Sequence, residues 1–370
     1  MTRPSTALID LNALKANYLL ACELSQRDNP AARTLAVVKA NAYGHGAVPA
    51  ARALEPLAPA LAVACCDEAM VLRQAGITKP LLLLEGIFSP DEIELCATHN
   101  LWPMVGDPSQ VEALLQARPP ASLRVWLKVD TGMHRLGIAA EDFPHLHQQL
   151  KSCSHIEQPI VVATHFASAD EPDNDFTATQ IARLRSLAPS QPLSMANSPA
   201  LLAWPDARAD WNRPGFMLYG SSPFDTPQQE AERLQPVMHF QSRVMAVRTI
   251  AAGESVGYGE TWRAQRTSQI ATIPVGYGDG YPRTATSGTP VLVNGRTAAL
   301  AGRVSMDLIT VDVTEIGPVQ VGDPVELWGA NLAVNRVARH AATSAYEVLT
   351  RIPARLRREY IERQPPVSGG

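Results

Sequence analysis

The chain has 370 residues, too many for one ordinary core, and 46% of them are hydrophobic, so we expect a large domain and a smaller one. The formal net charge of -4 gives no positive field that would hold nucleic acid or an anionic membrane surface. No apolar run approaches the roughly 20 residues that span a membrane, and because no apolar segment follows residues 1–5 we expect no signal peptide. The five cysteines are irregularly spaced, as is typical of reduced thiols, so we expect a cytoplasmic protein.

Continuous apolar runs recur through the first part of the chain. Strong runs predict buried strands at residues 35–38, 61–64, 81–84, 125–127 and 160–163, and weaker ones stand at 102–105, 192–196 and 216–219. The runs do not alternate with polar residues, which is typical of parallel strands that are covered on both faces.

Helix signals lie between these runs. Ser89 suits an N-cap with Pro90 at the first helical position, while Asp67 and Glu68 begin another helix that Gly76 ends. Strand and helix signals therefore alternate, which indicates a parallel sheet. Eight such units predict a (β/α)8 barrel of the TIM type.

After about residue 235 the pattern becomes that of a mainly β domain. Asn294-Gly295 predicts a hairpin, and further strands are expected at 237–247, 308–313 and 324–328. A helix at 334–342 and a basic helical end follow. We therefore predict a barrel domain at 1–234 and a mainly β domain at 235–370, with a disordered tail from about residue 364. We also expect the first few residues to pair with the C-terminal domain.

Lys39 directly follows the first predicted barrel strand. At the mouth of a barrel, partial desolvation would lower the pKa of this lysine and free its amine to form a Schiff base. Gly44 and Gly46 would let the backbone approach a ligand closely. A lysine after an apolar run is by default a surface residue, so the position alone does not decide between the two interpretations.

The longer string around Lys39, VKANAYGHG at 38–46, resembles the signature of the lysine that binds pyridoxal 5'-phosphate (PLP) in the alanine racemase family. Further motifs similar to those of the family follow in the expected order along nearly the whole chain: LKVDTGMHRLG at 127–137, THFA at 164–167, ANS at 196–198, RPG at 213–215, VGYG at 256–259, GYGDGYPR at 276–283, GRVSMD at 302–307 and AYEV at 345–348. The ordered series carries the resemblance, because one fragment alone would say little.

The resemblance implies a PLP-dependent isomerase that interconverts L-alanine and D-alanine. The family fold is a (β/α)8 barrel followed by a β domain, and its members act as head-to-tail homodimers with shared active sites. Two bases are implied, Lys39 and Tyr258, the second from the partner subunit. A phenol is a weak base at neutral pH, so cationic neighbours must favour its anion. Without the resemblance, Tyr258 reads as an ordinary loop aromatic.

The resemblance also implies roles for polar residues around the ring of the coenzyme and the substrate. Arg213 would face the pyridine nitrogen, and His165 would hold Arg213 by a hydrogen bond or serve only as a satisfied barrel histidine. Arg135 would bind the substrate carboxylate. Lys128 stands at the family position of an N6-carboxylated lysine, and we state that modification as a hypothesis.

The phosphate group and the substrate side complete the implied site. Phosphate ligands would be the side chains of Tyr43, Ser198 and Tyr346 and backbone groups at Asn197, Gly215 and Phe216. Met306 and Asp307 would come from the partner subunit, and Tyr277 and Tyr281 would line the entrance. Ser194 stands where some relatives carry a histidine near the arginine that faces the coenzyme, and Ser305 replaces a cysteine that some relatives carry. No metal is expected.

Alternative functions remain open at this point. A racemase of broader specificity, for serine, lysine or arginine, is the nearest. A PLP-dependent decarboxylase is disfavoured because such enzymes place an acid, not an arginine, at the pyridine nitrogen. A non-catalytic PLP-binding regulator would lack the β domain. The sequence leaves open whether D-alanine made here serves peptidoglycan synthesis or alanine catabolism.

Overall fold

The computed structural model describes residues 3–362. Its first unit is a closed parallel barrel. Strand β1 (Thr6–Asp10) precedes it, and the barrel strands are β2 (Arg33–Thr34), β3 (Ala36–Val37), β4 (Leu61–Val63), β5 (Leu81–Leu83), β6 (Leu101–Val105), β7 (Trp126–Lys128), β8 (Val161–Ala163), β9 (Leu193–Ser194) and β10 (Trp211–Asn212). The sheet order is β2-β10-β9-β8-β7-β6-β5-β4-β3. Because only Leu35 separates β2 from β3, they form one strand whose halves pair with different neighbours, so the sheet closes with eight positions.

The interior of the barrel is a packed core. Trp211 packs edge-on against Trp102 and Trp126, with ring centroids 5.9 Å and 5.5 Å apart. Small and branched residues from the other strands, such as Ala62 and Val161, fill the rest of this cluster. The continuous apolar runs of the sequence therefore supply both faces of the strands, and the predicted (β/α)8 class is confirmed.

One predicted strand is wrong. Residues Phe216–Tyr219 form a short 3₁₀ helix, and the eighth barrel position is taken by Trp211–Asn212. The 3₁₀ helix packs on the first helix of the chain, so its apolar residues are buried without being extended. A short apolar run cannot distinguish a buried turn of helix from a buried strand.

The barrel helices alternate with the strands as predicted: Leu11–Gln26, Ala47–Leu54, Cys66–Gln74, Glu92–Thr98, Pro108–Gln116, Phe143–Ser152, Phe176–Leu187 and Ser198–Ala203. Asp67 and Glu68 lie in the first turn of Cys66–Gln74, and Gly76 follows its end with a φ of +87°, as expected. The predicted cap at Ser89 is wrong. The helix there begins at Glu92, and Ser89 contributes only its carbonyl oxygen, which accepts from the Glu92 N–H.

The second unit is an open, mostly antiparallel sheet. Its strands are β11 (Met238–Arg243), β12 (Ala246–Ile250), β15 (Ser268–Ile273), β16 (Pro290–Val293), β17 (Arg296–Leu300), β18 (Ile309–Asp312), β19 (Pro324–Trp328) and β20 (Arg357–Ile361), and β13 (Ser255–Val256) pairs with β14 (Trp262–Arg263) in a separate ribbon. Two helices, Val334–His340 and Ala345–Thr350, connect β19 to β20.

Two further predictions concern this second unit, of which one is confirmed and one is wrong. Asn294 and Gly295 form the hairpin turn between β16 and β17 with φ values of +52° and +73°, as predicted. The prediction of a basic helical end to the chain is wrong, because Arg357–Ile361 is a strand. It pairs in parallel with β1, which also pairs with β11, so Thr6–Asp10 belongs to this sheet. The tail expected from residue 364 lies outside the described residues.

Candidate active site

A cavity of about 660 Å³ opens at the carboxyl ends of the barrel strands. Barrel enzymes carry their active sites at this face. The cavity brings together these residues expected from the sequence: Lys39, Tyr43, Lys128, Arg135, His165, Asn197, Ser198, Arg213, Gly215, Phe216 and Tyr346. Tyr346 comes from the C-terminal unit, so both units of one chain contribute to the wall.

Lys39 and Tyr43 are joined by a left-handed helical turn. Residues 40–43 all have φ between +50° and +54°, a conformation that costs non-glycine residues roughly 1–2 kcal/mol each. The Glu68 carboxylate accepts from the Ala40 N–H at 2.7 Å and from the Ala64 N–H at 2.8 Å, which ties the turn to the end of β4. The turn therefore keeps its shape because a neighbouring helix holds its backbone.

His45 supports the same turn from behind. Its Nδ1 lies 3.0 Å from the Ala42 carbonyl and 2.9 Å from the Tyr43 carbonyl, so Nδ1 carries the proton and donates to them. Complete burial lowers the pKa of the imidazole to about 4. A neutral ring thus fixes the carbonyls of the left-handed residues.

The two lysines of the cavity have lowered pKa values. Burial is the main cause for Lys39, with a smaller contribution from Arg135, while the carboxylates of Glu85 and Glu68 oppose the shift. Burial, followed by the charges of Arg213 and Arg135, lowers the pKa of Lys128 to about 8. A lysine with a lowered pKa spends more time as the free amine, which is the nucleophilic and basic form.

Arg213 is buried, and its guanidinium is held by acceptors at the ends of β8 and β9. Nη1 donates to Ser194 Oγ at 2.5 Å, and Nη2 donates to the Thr164 carbonyl at 2.6 Å. The expected hydrogen bond with His165 is not among those of the described residues. Burial and the charge of Arg213 instead lower the pKa of His165 well below its ordinary value, so this ring is neutral.

Neutral hydrogen-bonding groups line the opposite wall. Ser198 Oγ accepts from the N–H groups of Gly215 at 2.9 Å and Met217 at 3.1 Å, which leaves its own hydroxyl proton available to a ligand. Asn197 caps the helix Ser198–Ala203 by accepting from the Ala200 N–H. Its side chain is therefore occupied within the protein.

Aromatic rings enclose this wall. Tyr346 stacks on Phe216 with ring centroids 3.6 Å apart, and Tyr43 lies 6.4 Å from both rings. A Cβ on Gly215 would lie 2.5 Å from the Tyr43 hydroxyl, so only glycine leaves room there. Within residues 3–362 the hydroxyls of Tyr43 and Tyr346 have no hydrogen-bond partner, which makes them available to a bound group.

Three expected residues lie away from the cavity. The side chain of Tyr258 is 71% exposed in a short 3₁₀ turn between β13 and β14, and that of Met306 is 54% exposed. Asp307 is also exposed. A single chain does not bring these three to Lys39. Tyr277 is exposed as an entrance residue would be, but Tyr281 is buried and stacks on Trp328, so its predicted place at the entrance is wrong.

Two carboxylates were missed by the sequence reasoning. Glu85 follows β5 and lines the cavity beside the lysines. The sequence does contain a signal for Glu85, because this residue ends an apolar run in the same way as Lys39 does. Glu68 was recognised only as an acid at a helix start, and nothing in the sequence indicates that it holds the Lys39 turn.

Comparison with known proteins identifies the class. Residues 9–223 match the family model of the alanine racemase N-terminal domain and residues 237–360 that of the C-terminal domain. The chain is similar to an alanine racemase of Chromohalobacter salexigens, 49% identical over 97% of this chain and 98% of the relative. It is also 48% identical to a catabolic alanine racemase of Pseudomonas putida, over 97% and 99% of the two chains.

A solved structure agrees with these matches. The crystal structure of the biosynthetic alanine racemase of Pseudomonas aeruginosa is 44% identical, superposes with a TM-score of 0.93 and covers 98% of this chain and 100% of its own. Together with these matches, the barrel unit followed by a β unit places the protein in a class of isomerases. The chain belongs to the alanine racemase family.

Two further observations concern the described part of the chain only. None of its helices combines the length and the apolar character that crossing a membrane requires. Residues 3–362 also contain no cluster of three or more histidine, cysteine or acidic side chains arranged to hold a metal ion.

Proposed function

We propose that this enzyme interconverts L-alanine and D-alanine with PLP on Lys39, in the cytoplasm and as a homodimer. One observation carries the proposal: a single cavity places the Lys39 amine with its lowered pKa among Lys128, Arg135 and Arg213. The free amine of Lys39 suits the aldehyde of the coenzyme, and the guanidinium of Arg135 suits the carboxylate of an amino acid substrate.

The residues present fit PLP. Gly215 leaves space beside the Tyr43 hydroxyl, and the hydroxyls of Tyr43, Tyr346 and Ser198 are free to donate to phosphate oxygens. The buried Arg213 would meet the pyridine nitrogen. A guanidinium donates hydrogen bonds and cannot accept them, so it keeps that nitrogen unprotonated. A weaker electron sink favours return of the proton to Cα and suppresses transamination.

When bound, PLP supplies an electron-withdrawing ring that acidifies the Cα–H of the attached amino acid. Lys39 then removes or returns the proton on one face of Cα through Nζ. The partner subunit's Tyr258 does the same on the opposite face through its phenol oxygen. Arg135 binds the substrate carboxylate, and the partner subunit's Met306 and Asp307 limit the room for a side chain.

Lys128 is the proposed site of carboxylation. Its ammonium first loses one proton, and the free amine then attacks carbon dioxide. An N–C bond forms as one C=O π bond breaks and a second proton leaves to solvent, so the cation becomes an anionic carbamate. Arg135 has no ion pair within residues 3–362, so the carbamate would give it a partner. Electron density that ends at the Lys128 amine would contradict this modification.

The reaction is tested by incubating the purified PLP-loaded enzyme with L-alanine in deuterated water. We expect exchange of the α-proton together with formation of D-alanine. Release of carbon dioxide would indicate a decarboxylase, and PLP binding without exchange would indicate a regulator. Comparable rates with serine, lysine or arginine would indicate a racemase of broader specificity. Whether D-alanine serves peptidoglycan synthesis is tested by D-alanine dependence of a deletion strain.

The shared site is tested by mixing two inactive variants, Lys39→Ala and Tyr258→Phe. A mixed dimer has one site with both changes and one intact site. If subunits exchange at random, half of the dimers are mixed, so about a quarter of the wild-type rate returns. Two variants that stay inactive after dissociation and reassociation would show that Lys39 and Tyr258 of one chain serve the same site.

A further inference from the structure

Two arginines that are distant in sequence converge on one buried carboxylate in the β unit. Arg3, just before β1, donates through Nη2 to Asp279 Oδ2 at 2.8 Å. Arg355, just before β20, donates through Nε to Asp279 Oδ1 at 2.8 Å. The Asp279 side chain is only 2% exposed, so each of its oxygens is held by a guanidinium away from bulk water.

The same two guanidiniums also reach Asp307. Arg355 Nη2 donates to Asp307 Oδ1 at 2.5 Å, and Arg3 Nη2 donates to the Asp307 carbonyl at 2.6 Å. Each arginine therefore connects the buried Asp279 to the exposed Asp307. Both contacts of Arg3 come from Nη2, whereas Arg355 uses two separate nitrogens of its planar fork, Nε and Nη2, which the single nitrogen of a lysine does not reproduce.

The backbone beside Asp279 fastens the same loop. The N–H of Tyr277 donates to the Ser305 carbonyl at 3.0 Å, and the N–H of Gly278 donates to the Met306 carbonyl at 2.9 Å. A Cβ on Gly276 would lie 2.3 Å from both of these carbonyl oxygens. The segment 305–307 is thus held closely, although Met306 presents its side chain to the outside.

An apolar side chain on the surface of a rigidly held loop is suited to entering another molecule, since little conformational freedom is lost on contact. We propose that Arg3 and Arg355 are positioning residues that act through Asp279 and Asp307. They fix Met306 and Asp307 in the conformation that narrows the partner subunit's substrate cavity, and so contribute to selectivity for a small side chain. The inference rests on the proposed function.

The test compares Arg355→Lys with Arg357→Lys as a matched control. Arg357 is two residues further on and pairs only with Glu359, at 2.6 Å, within the described residues. A lysine at 355 keeps the charge beside Asp279 but cannot also hold Asp307. We expect Arg355→Lys to raise KM for L-alanine about five- to tenfold with kcat within about twofold, and to raise kcat/KM for L-serine relative to L-alanine.

A purely structural role would give a different pattern. A lower Tm with equal losses for alanine and serine would overturn the proposal, and so would values equal to those of Arg357→Lys. The double variant Arg355→Lys with Asp307→Asn is expected to be little worse than either single variant, because both break the same contact. Additive effects would contradict that contact. If the wild-type enzyme itself fails to racemise alanine, the proposed function fails first.

Discussion

Lys39 and Lys128 are two amines in the same cavity with different charged neighbours. Lys39 has the carboxylates of Glu85 and Glu68 near it, whereas Lys128 faces Arg213, Arg135 and Lys39 with only Glu85 in opposition. The positive surroundings favour a neutral or negative group at position 128. This difference supports the proposed carboxylation at Lys128 rather than at Lys39.

The buried amine of Lys128 predicts a pH-dependent stability of the PLP-free enzyme in carbon dioxide-free buffer. Its pKa falls from 10.5 to about 8 on folding, so between these values the unfolded chain binds more protons than the folded one. The free energy of unfolding, relative to Lys128→Met, should therefore rise as the pH increases from 8 toward 10.5. Equilibrium denaturation at several pH values measures this difference.

The control is Lys151→Met, which changes an exposed lysine. The difference in free energy of unfolding between wild type and Lys151→Met should stay constant over the same pH range. A constant difference for Lys128→Met as well would mean that the Lys128 amine is not desolvated in the folded enzyme.

How far the sequence predicts the site depends on whether a residue acts through its position or through its contacts. Lys39 could be found because it ends an apolar run, and the same rule would have found Glu85. The burial of Tyr281 could not be predicted from the sequence. Its motif resembles one that lines the entrance in the family, but packing against Trp328 determines its position. The family resemblance placed Ser194 near Arg213, but the hydrogen bond between them was not predicted, since it forms only after β9 has joined the barrel.

At the scale of elements, the left-handed turn after Lys39 is an unfavourable piece of backbone in the wall of the cavity. Four consecutive non-glycine residues adopt a conformation that isolated chains avoid. Glu68 offsets this cost by accepting from two backbone N–H groups of neighbouring strand ends. Strain of this kind persists only where the surroundings hold it in place.

Glu68→Gln should therefore destabilise the enzyme by about 1–3 kcal/mol, because the amide NH2 would face a backbone N–H that needs an acceptor. Asp67→Asn is the matched control. Asp67 lies in the same first helical turn, so both variants lose a similar interaction with the helix dipole. Urea denaturation compares the two variants. Equal stabilities would mean that the Glu68 carboxylate does not hold the turn.

Elements with a strong local signal were predicted, and those defined by their neighbours were not. The apolar runs at β3 to β8 and the Asn294-Gly295 hairpin carry their structure in the sequence. Trp211–Asn212 is too short to form a recognisable run, and its place follows from closure of the barrel. Arg357–Ile361 is rich in charge, and none of its residues is fully buried, so its extended form comes from pairing with β1.

At the scale of the whole molecule, the proposed site is divided between two chains. One chain supplies the cavity, while Tyr258 and Met306 lie exposed on its own surface. A monomer would then bind PLP but would lack the second base and part of the substrate wall.

Dilution of the enzyme should show whether turnover requires the dimer. As the enzyme is diluted below the dissociation constant of the dimer, turnover per chain should fall while far-ultraviolet circular dichroism stays constant. Sedimentation velocity at the same concentrations should show that the loss of turnover follows dissociation. Undiminished turnover in fully monomeric enzyme would rule out a catalytic role for the second chain.

The position of β1 between β11 and β20 has a consequence for how the protein is made. The ribosome synthesises β1 more than 200 residues before either neighbour, whereas the barrel strands are completed in between. The barrel can therefore close during translation while β1 waits, tethered to it by the helix Leu11–Gln26. Although Thr6–Asp10 is made before the barrel strands, it should become protected from hydrogen exchange after them.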